Sequence, residues 1–395
     1  MSENQHRTPA PAAASPAIRT ELYDAATGMR GFVVVDQLID GRAMGGLRIA
    51  PNVSIDEVSQ LAHRMGLKLA LAGVAIGASK GGIMVDADAS EELRTQQLAA
   101  FGRLAGPLFR GGVYLGTDLG CSYRDRAFIY NAASYSVESQ APSLPCSWAE
   151  LWRHCRDVTG LGTAHACEVI ADELGLTSAQ RRVVIQGFGE VGKAVARHGA
   201  QLGLKVVAVA DKHGTVVANS SSPAEQPAEL PIDELIAITD ELGNIDQSRL
   251  PTGVTLRTDP EAWLDVDTDI LVLAATGHAV TARNVDRVRA RVIVEGANMP
   301  TSRDAIAHLT ERGRLVVPDI IANPGGAIGC GLALRGDIPA GKTAEEGAQW
   351  LFDETAKRIR PNVSSAYRQS LADGRTMHAV GLEMAENRAQ ELHGR

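Results

Sequence analysis

The sequence predicts an α/β protein of two domains, the second a parallel, doubly wound sheet. Three observations lead there. The chain has 395 residues, more than one ordinary domain core takes. From about residue 183 onward, short apolar runs alternate with helical stretches, the order that brings parallel strands together through crossover helices. One of those runs feeds Gly187-Phe188-Gly189-Glu190-Val191-Gly192, which then opens a helix. Hydrophobic residues at 45% and charged residues at 22% suit a soluble globular protein. Forty glycines with 4% aromatics suit a turn-rich enzyme better than a stacking platform.

The elements follow in chain order. Thr8–Pro16 is rich in Pro, Ala and Ser and lacks an apolar core, so residues 1–18 read as a disordered tail rather than a signal peptide. Gly31–Val35 and Leu47–Ile49 read as strands, the second behind the Gly45-Gly46 turn. Ser54-Ile55-Asp56-Glu57 has the form of a capping box and opens a helix to about Leu71, closed by Gly73. Its apolar positions Val58, Leu61, Met65 and Leu69 recur at helical spacing, and Lys68 borders that face. A strand at Ile83–Val85, a helix near Glu91–Leu104 and a strand at Val113–Leu115 follow. Ala132–Asp157, with Pro142 and Pro145, reads as an irregular hinge.

Beyond it come strand Val183–Ile185, a helix to about Leu202 closed by Gly203, and strand Lys205–Ala210 ending at Asp211. Further strands are expected at Ile270–Ala274, Val292–Glu295 and Leu315–Val317. Asn219–Pro231 is a polar insertion without visible chemistry. Phe352–Ala389 is expected to be helical, with a kink at Pro361.

Several classes are set aside by composition. A net charge of -8 argues against a nucleic-acid or anionic-membrane partner. No apolar run approaches the roughly 18 residues of a membrane span. The five cysteines are odd in number and lack CxxC spacing, so they read as reduced thiols of a cytoplasmic protein, with no metal site.

The glycine motif stands in the context it requires, after an apolar strand and before a helix, with acidic Asp211 ending the next strand. That predicts a Rossmann-type dinucleotide site, with the helix N-terminus facing the pyrophosphate. Asp211 would accept hydrogen bonds from ribose hydroxyls and favour NAD. Lys212 and His213 beside it would suit a 2′-phosphate, so NADP stays open. Lys68 and Lys80 invite a catalytic reading, because a desolvated lysine near another cation can exchange protons near neutral pH. Each has a plainer alternative. Lys68 could snorkel to solvent, Lys80 could be a strand-edge charge, and Asp118 could simply begin a turn.

Gly45-Gly46-Leu47-Arg48, Met65-Gly66-Leu67-Lys68 and Gly77-Ala78-Ser79-Lys80-Gly81-Gly82 together resemble the glutamate, leucine, phenylalanine and valine dehydrogenases. The likeness continues through Thr117-Asp118-Leu119-Gly120, Thr159-Gly160-Leu161-Gly162, Glu295-Gly296-Ala297-Asn298 and Pro318-Asp319-Ile320-Ile321-Ala322-Asn323-Pro324-Gly325-Gly326. The resemblance implies NAD(P)-dependent oxidative deamination of an L-amino acid to a 2-oxo acid and ammonium. By the same resemblance Lys68 binds the α-carboxylate, Lys80 donates and accepts protons, and Asp118 relays protons to the amino group. Thr159, Asn298 and Asn323 would surround nicotinamide, ribose and substrate. Met44, Gly45, Met65 and Cys330 complete the expected substrate pocket. Gly187, Phe188, Gly189, Glu190, Val191, Gly192, Asp211, Lys212, Ala275 and Thr276 complete the expected cofactor site. The resemblance further implies a substrate-binding and oligomerisation domain (19–155, completed by helices 352–395), an NAD(P) domain (156–351), and a cleft between them. A homo-hexamer or homo-octamer is implied as well.

Departures from the glutamate enzymes point to the substrate. Met44 stands where their lysine grips the side-chain carboxylate, and Cys330 replaces its serine partner. An ionised carboxylate against methionine and cysteine would lose its charge partner, at a cost of about several kcal/mol. A branched-chain or aromatic amino acid is therefore favoured over glutamate. The alternatives are a glutamate dehydrogenase using Arg42, and a catalytically silent homologue that senses nucleotide or amino acid. Glu190 would place a negative charge near the pyrophosphate. Trp148 and Trp152 could wall the pocket or pack the hinge, with packing favoured.

Overall fold

The computed structural model describes residues 15–219 and 228–393. The chain divides into two compact units, Met1–Gly66 with Ile76–Ser136, and Leu67–Ala75 with Val137–Arg395. Both are α/β.

The first unit holds β1 (Ile18–Asp24), β2 (Met29–Gln37), β3 (Ala43–Ile49), most of α1 (Ile55–Leu71), β4 (Gly77–Met84), α2 (Glu91–Arg110), β5 (Val113–Thr117) and α3 (Tyr123–Ala132). Its sheet runs β1-β2-β4-β3-β5, with β3 parallel to β4 and β5 and the other pairs antiparallel. One face carries Phe32 and Val34 against Val53 and the α1 residues Val58 and Ala62. A Cβ at Gly82 would meet Val58 at 2.7 Å, so glycine there lets α1 settle on the strands. On the other face, Phe101 of α2 lies over Gly31 and leaves 2.6 Å to where a Cβ would be. Ser54 Oγ accepts from the Glu57 amide at 3.2 Å, and Gly73 at φ 66° follows the helix, so both expected ends of α1 are present.

Three features of this unit differ from expectation. Ile18, placed in the tail by sequence, begins an edge strand paired to Val35; residues 1–14 of that tail lie outside the described residues. The glycine-crowded block 77–82 is itself part of a central strand, and its glycines make room for neighbours: a Cβ at Gly77 would meet the Gln37 and Arg42 carbonyls, at Gly81 the Leu47 and Leu115 side chains, and at Gly82 Val58 of α1. Helix α3 went unforeseen, although Ser122 and Asp125 form a reciprocal capping box at its start.

The second unit holds α4 (Trp148–Cys155), α5 (Val158–Glu173), β6 (Arg182–Gln186), α6 (Glu190–Gln201), β7 (Lys205–Asp211), β8 (Gly214–Ala218), α7 (Ile232–Ala237), β9 (Val254–Arg257), β10 (Ile270–Leu273) and β11 (Val292–Glu295). It continues with α8 (Arg303–Glu311), β12 (Leu315–Val317), α9 (Asp319–Ala322), α10 (Gly325–Arg335), α11 (Ala344–Asp373) and α12 (Met377–His393). Its sheet runs β12-β11-β10-β6-β7-β8-β9; β12 to β7 are parallel and β8 and β9 turn antiparallel. β6 lies between β7 and β10, so the glycine turn after β6 sits at the topological switch point where such sheets bind ligands.

Here too the structure departs from the sequence reading. The segment expected to be irregular contains α4, opened by a capping box between Ser147 and Glu150. Contacts divide the chain after Ser136 rather than near residue 155, and they group the C-terminal helices with the second unit rather than the first. The reason is packing. A Cβ at Gly162 of α5 would run into Ile359 of α11 at 2.5 Å, and one at Gly381 of α12 would meet Ile321 of α9 at 2.9 Å. α11 continues unbroken through Pro361. Of the polar insertion, residues 220–227 lie outside the described residues. Among the described residues, no helix is long and apolar enough to cross a membrane.

Candidate active site

In the first unit, Lys80 is 4% exposed and its Nζ lies 3.0 Å from Asp118 Oδ2. Neighbouring glycines make this possible. A Cβ at Gly45 would collide with the Ser79 carbonyl, so only glycine lets β3 lie against β4 there. A Cβ at Gly46 would stand 3.2 Å from Lys80 Nζ and 3.0 Å from Asp118 Cβ, so Gly46 leaves the volume the pair occupies. Alternation along β3 puts Met44, 3% exposed, on the same face as Gly46 and Arg48. Met65 is half-buried on α1.

Arg48 is the residue that sequence reasoning missed. Its Nε donates to Asp118 Oδ2 at 3.2 Å and its Nη1 to Glu57 at 2.6 Å. The signal was the register, since Arg48 belongs to the strand running alongside both β4 and β5. Burial pushes the Asp118 carboxyl up, but Lys80, Arg48 and the Leu119 amide outweigh it and hold it below the usual range. Lys80 is thus neither solvent-bathed nor a strand-edge charge. Its nearest ionic partner in this unit is a carboxylate that stays ionised.

In the second unit, Lys68 Nζ lies 2.6 Å from Asn298 Oδ1 and 2.7 Å from Asn323 Oδ1, with Asp319 Oδ2 at 3.6 Å. Asn323 is fixed by donating to the carbonyls of Gly296 and Ala297. Two amide oxygens, one of them fixed by its own hydrogen bonds, and a carboxylate thus set the position of the Lys68 ammonium. Thr159 Oγ1 lies 2.9 Å from where a Cβ on Gly326 would be, so the threonine packs on the glycine pair after Asn323. Cys330 is partly exposed on α10, next to Gly329, where a Cβ would stand 3.4 Å from the Trp152 ring. Trp148 is buried with its ring 5.2 Å from Trp152. Trp148 therefore packs the core of this unit, while Trp152 borders the helix that carries Cys330.

The glycine turn fits a dinucleotide. Gly187 has φ 94°, and a Cβ at Gly192 would collide with the Gly187 carbonyl, as the turn into a helix requires. Gly189 has nothing within 4 Å of its Cβ position, so that side of the turn is open to a ligand. Phe188 is buried beneath it and Val191 half-buried. Ala275 packs against Gly187, and exposed Thr276 leads to Gly277, where a Cβ would stand 3.3 Å from the Asn298 carbonyl oxygen. Glu190 is exposed at the head of α6. Partial desolvation there, together with nearby Asp157, outweighs Arg156 and Lys193 and raises its carboxyl above the ordinary range.

Asp211 has a task the sequence did not reveal. Its Oδ1 accepts from the His213 and Gly214 amides and its Oδ2 from Ile245, so it holds the β7–β8 turn. Lys212 is exposed on that turn. A second unforeseen contact is Gly243, φ 85°, which closes against the Gly189 amide while Lys193 Nζ donates to the Asp240 carbonyl at 2.8 Å.

Comparison with known proteins gives the family. Residues 153–390 match the family described as Glutamate/Leucine/Phenylalanine/Valine dehydrogenase, and residues 19–125 match its dimerisation domain. The chain is 33% identical over 337 residues to an NADP(+)-dependent glutamate dehydrogenase of Pyrobaculum calidifontis, covering 82% of this chain and 75% of that one. It is 28% identical over 356 residues to a catabolic NAD-specific glutamate dehydrogenase of Bacillus subtilis, covering 87% and 78%. Among solved structures, the hetero-hexameric glutamate dehydrogenase of Thermus thermophilus in its Leu-bound form superposes with a TM-score of 0.75 at 28% identity, over 96% and 89% of the two chains. Two matched domains that together span most of the chain leave one assignment: the chain belongs to the glutamate/leucine/phenylalanine/valine dehydrogenase family, the NAD(P)-dependent amino-acid dehydrogenases.

Proposed function

We propose that the protein catalyses reversible NAD(P)-dependent oxidative deamination of an apolar L-amino acid, branched-chain or aromatic, giving the 2-oxo acid and ammonium. Lys68 anchors the α-carboxylate, its ammonium aimed by Asn298 and Asn323. Thr159, the turn Gly187–Gly192, Ala275, Thr276 and Asn298 hold the nucleotide. When bound, the nicotinamide accepts the hydride from the substrate α-carbon. Lys80, as the neutral amine, then takes a proton from the water that adds to the substrate iminium, and Asp118 relays that proton from the resulting Lys80 ammonium to the departing amino group. We also propose that the chain assembles as a homo-oligomer through the first unit.

The observation that carries the apolar reading is Met44. It is buried on the strand face that bears Gly46 and Arg48, where a second carboxylate would find a thioether. A second reading, glutamate, is favoured by the glutamate dehydrogenases among the relatives and by half-buried Arg42, two residues from Met44. Reductive amination with NADH and with NADPH over a panel of 2-oxo acids decides between them. Turnover is expected with 4-methyl-2-oxopentanoate or phenylpyruvate; turnover of 2-oxoglutarate alone would refute the apolar pocket. Met44→Lys should raise 2-oxoglutarate turnover about tenfold relative to wild type, the scale of one charge-assisted hydrogen bond. Absence of turnover with every acid, alongside nucleotide binding, would point to a sensor.

Glu190 makes a further prediction. The pyrophosphate adds negative charge beside a carboxyl that already holds its proton above the usual range, so binding is linked to proton uptake. Nucleotide affinity should rise as pH falls through the carboxylate range. Glu190→Gln should flatten that slope and tighten binding at pH 8 by about twofold to fivefold, modest because the side chain is exposed. Titration calorimetry reads both.

A further inference from the structure

Behind the carboxylate-binding lysine lies a second tier of buried polar groups in the same unit. Asp319, 2% exposed, reaches Lys68 Nζ at 3.6 Å and accepts from the Met299 amide at 3.3 Å. Met299 has φ 47°, a left-handed conformation that costs a non-glycine residue about 1 kcal/mol. That hydrogen bond therefore helps hold the loop carrying Asn298. The Asp319 amide in turn donates to Glu295 Oε2 at 2.9 Å, and His378 Nε2 of α12 meets the same oxygen at 3.1 Å. Glu295 is 1% exposed, and its other oxygen, Oε1, has no hydrogen-bond partner. Lys68 thus stands beside one buried carboxyl group, Asp319, whose backbone amide is held by a second, Glu295, and His378 is the side chain that meets Glu295 from α12.

We infer that His378 is a positioning residue for Lys68, acting through Glu295 and Asp319. A buried carboxyl deprived of a donor draws on whatever positive group is near, because leaving it unmet costs more than a hydrogen bond normally returns. With His378 in place, Glu295 is engaged on its α12 side, and Asp319 and Lys68 keep the arrangement that points Nζ between the two asparagines. Without it, the set re-pairs internally, Lys68 shifts toward the carboxyl groups, and its ammonium is less available to a substrate carboxylate. Removing His378 should therefore weaken substrate binding rather than the chemical step.

The inference rests on the proposed role of Lys68, which is the same for glutamate and for an apolar amino acid, so the substrate panel and this test fail separately. His378→Leu should raise the KM of the best amino acid in the panel roughly tenfold, with kcat and nucleotide Kd within about twofold of wild type. His378→Gln, whose amide can donate to Glu295 from a similar position, should restore KM. A wild-type KM in the leucine variant overturns the inference. So does a joint loss of kcat, KM and nucleotide affinity, or a failure of the glutamine variant to rescue. If no amino acid is turned over, crystal structures of wild type and His378→Leu decide. The Lys68–Asn298 and Lys68–Asn323 distances should lengthen beyond hydrogen-bond reach in the variant, and unchanged distances overturn the inference.

Discussion

Lys80→Ala is expected to lower kcat by about 10³-fold while nucleotide affinity stays within twofold of wild type, since general acid–base groups contribute roughly 10²–10⁴. The fold should survive the change. Asp118 keeps Arg48 as a partner at 3.2 Å, so the carboxylate left behind is not stranded. Stability carries a second signature. Burial raises the Asp118 carboxyl, and Lys80 and Arg48 more than reverse that, so its folded-state value is depressed. A depressed acid contributes stability that is present above its unfolded value and lost as pH falls through its folded value. Removing Lys80 takes away one of the two cations responsible. The stability gap between wild type and variant should therefore be widest near neutral pH and shrink on acidification. Retained turnover in Lys80→Ala, or loss of nucleotide binding with it, would show that the proton-transfer role belongs elsewhere.

Lys68→Met is expected to act on binding and on stability together. Without the ammonium, KM for the amino acid should rise roughly 10- to 100-fold, the range of hydrogen bonds to a charged group. Buried Asp319 loses the cation 3.6 Å away, and breaking such a pair from one side costs about 3–5 kcal/mol. The two effects separate in a double variant. Lys68→Met with Asp319→Asn removes the charge as well as its partner, so thermal stability should largely return while KM stays high. Recovery of KM in the double variant would mean that Lys68 serves the fold and not the substrate.

Much of the fold was legible because it depends on local patterns. β11 at Val292–Glu295 and β12 at Leu315–Val317 match their expected bounds residue for residue. α6 runs from the glycine turn to within one residue of its expected end. Apolar runs bounded by turn residues suffice for buried parallel strands. Less was legible where the decisive contact is distant. β8 and β9 were missed because an antiparallel edge needs pairing partners, not merely an apolar run. The sequence reading placed the C-terminal helices with the first domain while contacts group them with the second unit, because helical periodicity says which face is buried but not against what.

The sequence by itself determined the family: a glycine turn between strand and helix, and two lysines and an aspartate in blocks of the family's order. Those are properties of residue type and order, and they survive without coordinates. Only the tertiary structure decided how the groups are wired. It set both Lys80 and Arg48 on Asp118, tied Asp211 to the amides of the β7–β8 turn, linked Lys68 to Asn298, Asn323 and Asp319, and linked Asp319 through Glu295 to His378. These partners lie far apart in the chain, and hydrogen bonds and ion pairs act over a few ångströms of space. No spacing along the sequence encodes them until the strands and helices have closed.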